Sequence, residues 1–179
     1  MESPALSAWE SFYVIVGSSA AALTGLQFVV ITLIADARVR RTQREINVFG
    51  TPIVMHFSVV LLVSAILSAP WRMFSDPALW ITVIGIAGLT HAILTRRRSR
   101  IVAQQLPDTY KPVLEDRIWY LLMPTLGYIG LLGAGVALYR GHEGALRTIA
   151  GLVLFLLLVS IRNAWDTVTW VAESRGKEA

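Results

Sequence analysis

The sequence predicts an all-α fold: a polytopic transmembrane helical bundle of five spans, with the N-terminus outside and the C-terminus cytoplasmic. Composition is the first reason. Of 179 residues, 55% are hydrophobic and only 16% charged, with a mean hydropathy of +0.59. An ordinary soluble domain carries a smaller apolar share. The second reason is the placement of charge. Thirteen of the sixteen Lys and Arg residues follow the first, third and fifth long apolar stretches, and three fall between the others. Short basic loops resist translocation, so they mark the cytoplasmic face.

Crossing a hydrocarbon core of about 30 Å takes about 20 apolar residues in a helix. Five stretches meet that need, at about residues 9–35, 52–71, 77–95, 118–139 and 144–170, and residues 96–117 form a cytoplasmic connector. The whole chain reads as one transmembrane domain. The first stretch has no basic residues before it and is longer than a signal-peptide core, so it is expected to be retained as a span. Ser7-Ala8-Trp9-Glu10 has the spacing of a capping box at its start. Thr51-Pro52 and Asp76-Pro77 each put a capping residue before a proline, which predicts that the second and third helices begin there. Pro124 predicts a kink in the fourth helix, and Gly141 and Gly144 bracket a tight turn into the fifth.

The basic residues then sort by side. Arg38, Arg40, Arg41 and Arg44 follow the first helix; Arg96, Arg97, Arg98, Arg100, Lys111 and Arg117 lie between the third and fourth; Arg162, Arg175 and Lys177 follow the apolar run of the fifth, which extends to Ile161 or beyond. Arg72, Arg140 and Arg147 are left for the outside. Four spans in place of five would put the first basic cluster on the wrong face or leave an apolar segment unburied. The net charge of +4 is therefore read as facing an anionic leaflet, not a nucleic acid. The chain has no cysteine, which removes disulfides and thiolate metal sites.

The first helix has the most unusual composition. Turned at about 100° per residue, it brings Glu10, Tyr13, Gly17, Ala20, Ala21, Thr24, Gln27, Phe28 and Ile31 to one small, partly polar side. Close packing explains such a face, because Gly17, Ala21 and Gly25 let backbones approach. A pore lining explains it too, with Glu10, Gly17, Ala21, Thr24, Gln27 and Phe28 as lining residues and ions as the cargo. The fourth helix carries a second ridge, Gly127, Gly130, Ala134 and Ala137, suited to packing within or between subunits. His56, His91, Asp116, Arg162 and Asp166 are expected to form a polar layer at the cytoplasmic boundary, with Arg162 paired to an aspartate and Trp119, Trp165 and Trp170 as interfacial anchors.

No hydrolase elbow or zinc-protease motif occurs, and no acid lies deep in a span, so no enzyme, cofactor or metal is expected. The small, polar face of the first helix points to a homo-oligomeric ion channel. An accessory subunit of another membrane complex and a small-molecule or metal carrier around His56 and His91 are the rival classes. Trp9-Glu10-Ser11-Phe12, the Gly17–Gly25 stretch with Leu26-Gln27-Phe28-Val29, and Arg162-Asn163-Ala164-Trp165-Asp166 together resemble a loose group of small bacterial multi-pass membrane proteins, some labelled modulators of a membrane-anchored AAA protease. That resemblance implies a bacterial inner-membrane location and carries over no catalytic or binding residue.

Overall fold

Helices account for the regular structure among the described residues, and no strand occurs there. The structure, a computed structural model, describes residues 4–36, 43–105 and 117–176, with side chains over 5–32, 53–97 and 117–169. A single turn, α1 (Pro4–Ser7), precedes α2 (Glu10–Asp36), α3 (Gln43–Leu67) and α4 (Ser75–Gln105). A π-helical turn, Ile118–Leu122, runs directly into α5 (Met123–Tyr139), and α6 (Gly144–Gly176) follows. Four stretches are long and apolar enough to cross a membrane: Glu10–Thr32, Ser75–Arg97, Ile118–Tyr139 and Gly144–Thr169. α3 contributes a shorter apolar stretch, Ile53–Leu67. The outward faces are as oily as the core. Leu79, Trp80, Val83, Ile86, Ile93 and Leu94 of α4 are all exposed, as befits helices that are hydrophobic all round and meet lipid.

The helices pack in the order α2 on α3, α3 on α6, α6 on α5 and α5 on α4, and α3 also meets α4. α3, α4, α5 and α6 pack around one another, and α2 joins them against α3 and the start of α6, adding Tyr13, Val16 and Ala20 to the same core. Tyr13 near the start of α2 is fully buried and donates its hydroxyl to the Leu146 carbonyl in the first turn of α6. The turns 68–74 and 140–143 therefore share one end of the bundle with the start of α2. At the other end lie Arg96, Arg97, Arg117 and Arg162.

Several boundaries differ from the sequence reading, each for a local reason. α3 starts at Gln43, not at Pro52, and runs through the proline; a transmembrane-type helix tolerates the lost hydrogen bond when neighbours re-satisfy it. It ends at Leu67, before Trp71. Pro70 has no N–H to continue the ladder, and Trp71 folds back, its backbone N–H donating to Ala69 and its indole N–H to Ile66. α4 begins at Ser75, so Pro77 occupies its first turn, and it continues to Gln105, where Leu106-Pro107 follows. Residues 96–105, expected in the connector, are helical. Ser7 ends α1 and α2 begins at Glu10, so the Ser7–Glu10 box spans two helices.

The α5–α6 turn follows from one glycine. Gly141 has φ of 82°, a left-handed conformation that costs glycine nothing. It lets the N–H groups of Gly141 and His142 reach back to the Leu138 and Ala137 carbonyls, which closes the helix with a Schellman motif. Hydroxyls within the spans satisfy themselves in a similar way. Thr24, Ser58, Thr82, Thr125 and Ser160 each donate to the carbonyl four residues back.

Backbone contact fixes the core. A Cβ at Gly85 would lie 2.8 Å from the Leu132 backbone nitrogen, and one at Gly135 would lie 2.9 Å from the Thr82 nitrogen. At Gly88 it would come within 2.1 Å of the Tyr128 ring. α4 and α5 thus touch along their main chains. The ridge expected on the fourth helix is used inside the chain, since Gly127 and Gly130 face Leu156 and Leu152 of α6. Tyr128 cannot swing clear of Gly88, because it is fully buried and hydrogen-bonded to His56. Gly88→Ala is therefore expected to destabilise the bundle by about 1–3 kcal/mol, read as a lower midpoint of thermal unfolding in detergent. Gly133→Ala and Gly151→Ala, where a Cβ meets nothing, are expected to leave the midpoint unchanged or raised; an equal loss at all three would refute the close-contact explanation.

Candidate functional site

The structure divides the polar side of the first helix between the interior and the surface. Tyr13, Val16, Gly17, Ala20 and Gln27 are buried, and Thr24 is half-buried with its hydroxyl on the Ala20 carbonyl. Gly17 is there to admit α3: a Cβ would come 2.9 Å from Ser64 Cβ. Of the six lining candidates, Gly17, Thr24 and Gln27 thus turn toward their own chain, and Glu10, Ala21 and Phe28 remain exposed. A different line is left open on α2. Ser11, Ser18, Gly25 and Thr32 are all exposed, seven residues apart, with Ala21 and Ala22 beside them. Helix–helix seams repeat at that spacing.

The polar residues expected as one layer fall at two levels. At the first, His56 Nδ1 and the Tyr128 hydroxyl share a 2.6 Å hydrogen bond between α3 and α5, both residues buried. His91 lies within electrostatic range of His56, and its Nε2 is 3.5 Å from the Thr95 hydroxyl. With α3 and α4 longer at their charged ends than expected, both histidines sit well inside their helices. At the second level, Arg162 pairs with Asp166 at 2.7 Å and lies 4.2 Å over the Trp119 ring. The step of eight residues from Tyr120 in the π turn to Tyr128 in α5 separates the levels by about 12 Å. Asp116 lies outside the described residues. Among the described residues, no three His, Asp or Glu side chains come together to hold a metal ion.

Asn163 is the residue that the sequence reading did not single out. It is 1% exposed, and its Nδ2 donates to the Trp119 carbonyl at 3.2 Å. That carbonyl lies inside the π turn, where Met123 N–H has moved to the Ile118 carbonyl. The next N–H in π register would come from residue 124, which is a proline. Asn163 therefore supplies the donor that Pro124 lacks. Tyr120 closes the other side, donating its hydroxyl to the Asn163 carbonyl at 3.1 Å. The kink expected at Pro124 takes the form of this widened turn, strapped to α6. An asparagine about forty residues beyond a proline in the first third of a span is the available sequence signal, and it names no partner by itself.

The proline and the asparagine are expected to be energetically coupled. Asn163→Leu leaves the Trp119 carbonyl without that donor and is expected to cost about 1–3 kcal/mol. In a Pro124→Ala background, which restores a backbone N–H, the same substitution is expected to cost clearly less. Unfolding of the four proteins in a double-mutant cycle measures the difference, and equal costs in both backgrounds would refute the substitution of one donor for the other. The chain matches no family model, no curated protein and no solved structure.

Proposed function

We propose that this chain is a five-span inner-membrane protein of bacteria, N-terminus outside and C-terminus cytoplasmic, that assembles from identical copies and conducts small cations along an axis lined by α2. The basic residues support the orientation, since Arg96, Arg97, Arg117 and Arg162 lie at the end opposite the two short turns. One observation carries the conduction reading: the exposed line Ser11, Ser18, Gly25 and Thr32 on α2, the least buried of the four long spans. Small and hydroxyl-bearing residues suit both close approach and an ion path. A single copy has its interior filled by Tyr13, Phe57 and Tyr128, so the path runs between copies. The lining is accordingly Ser11, Ser18 and Gly25 with Ala21 and Phe28 at the margins, in place of the inward Gly17, Thr24 and Gln27. Seven-residue spacing favours a left-handed crossing of neighbouring α2 helices.

An accessory role remains the second reading, and a specific observation favours it. The Ser19 and Thr32 hydroxyls already donate to the Ile15 and Val29 carbonyls, so the α2 surface also suits dry packing against another protein's helix. Because the chain has no cysteine, Ser18→Cys introduces a single thiol. Oxidation in membranes is expected to link Ser18→Cys copies into dimers and to leave Ala87→Cys, exposed on α4, unlinked. In liposomes, a cationic thiol reagent is expected to block cation flux through Ser18→Cys and not through the wild type. Linkage without flux would favour the accessory reading, and neither linkage nor flux would overturn self-assembly through α2.

A further inference from the structure

A recess of about 170 Å³ opens at the turn end of the bundle, between the start of α2 and the turn that ends α3. Its polar lining side chains are one carboxylate and two hydroxyls, Glu10, Ser7 and Ser68. Glu10 contributes a carboxylate that makes no hydrogen bond or ion pair among the described residues. Leu67 and Ser68 at the end of α3 also line it, and their carbonyls accept no backbone N–H in the turn, as is usual for terminal carbonyls at a helix end. That end also carries the negative pole of the α3 dipole. Ser68 adds a hydroxyl, and Pro70 has no N–H to offer. Trp71 lines the recess with its indole N–H already bonded to the Ile66 carbonyl, so it offers a ligand its carbon surface. No Lys, Arg, His, Asn or Gln lines the recess among the described residues, and Arg72 stops one residue short.

We infer that this recess binds an alkylammonium group, whose N–H donors meet Glu10 and the α3 carbonyl end and whose carbon chain lies against Trp71. The charge follows from the acceptors. Three N–H donors on one cation match a carboxylate and diverging carbonyls, and an adjacent indole favours a cation further. Size argues for an organic cation over a bare metal ion. The volume holds on the order of five waters at liquid density, which an ion would leave largely wet and an aminoethyl group would fill. The ligand is either the headgroup of an ethanolamine lipid or a free amine, and the inference stands apart from whether the assembly conducts.

The test uses the full chain in mild detergent. Native mass spectrometry would compare retention of phosphatidylethanolamine with that of phosphatidylglycerol, and calorimetry would titrate free ethanolamine. The wild type is expected to prefer the ethanolamine lipid, or to bind the free amine, and Glu10→Gln is expected to weaken that binding about tenfold or more, the scale of one charge-assisted hydrogen bond. Binding of lipid without free amine identifies the headgroup as the source, and the reverse identifies a soluble amine. Glu10 is exposed, so Glu10→Gln is expected to fold as the wild type does, with thermal unfolding as the check. Were Glu10→Gln misfolded, Trp71→Phe would replace it, with a smaller loss expected. Equal retention of the two lipids with no amine binding, or undiminished binding by the variants, would overturn the inference.

Discussion

Tyr128 seated against Gly88 and hydrogen-bonded to His56 is the contact on which the rest of the bundle depends. It joins α3, α4 and α5 at one point, inside helices that are oily on every face. Apolar side chains gain little by leaving lipid for protein, so association must come from close packing and satisfied polar groups. The glycines on α4 and α5 supply the first, with Gly85 and Gly135 letting main chains touch. The buried imidazole–phenol bond supplies the second. The α4–α5 pair is consequently the tightest unit of the molecule, and α6 closes it by setting Leu152 and Leu156 into Gly130 and Gly127.

A second constraint is the missing N–H of Pro124. An α-helix interrupted by proline leaves a carbonyl that lipid cannot satisfy. Here the turn widens to π geometry and α6 reaches across with Asn163, so the defect becomes a cross-link between the two helices. The Arg162–Asp166 pair and the Trp119 ring lie one residue from that link, at the charged end. Charge at this end is thereby positioned by a fixed piece of backbone. α2, by contrast, is held mainly by α3 through the Gly17–Ser64 contact and by the Tyr13 hydroxyl. Its remaining surface is the natural place for contacts beyond the single chain.

How much of this the sequence reveals depends on the range of the interaction. The helical class follows from composition, and the Gly141 turn and the first turn of α4 at Asp76-Pro77 follow from residues adjacent in sequence. Periodicity identifies a small face on α2 but not its partner, and the centre of that face turned out to be taken by Ser64 of the same chain. Pro124 announces a disturbance in the helix, whereas its remedy, Asn163, comes from another helix. His56 and His91 are legible as unusual residues in apolar stretches, yet Tyr128, the partner of His56, lies 72 residues away. Boundaries also moved where helix continued past punctuation, at Pro52 and beyond Thr95. Local chemistry is written in neighbouring residues, and pairing across helices is written only in the packed structure.

In the proposed assembly, α2, the least buried of the four long spans in one copy, becomes the innermost. Cryo-electron microscopy of the full chain in lipid nanodiscs tests it in one measurement. The expected result is a closed ring of copies with α2 nearest the axis and Ser11, Ser18 and Gly25 facing it. Single copies with α2 surrounded by lipid, or a ring joined through α4 with α2 at its periphery, would contradict the claim.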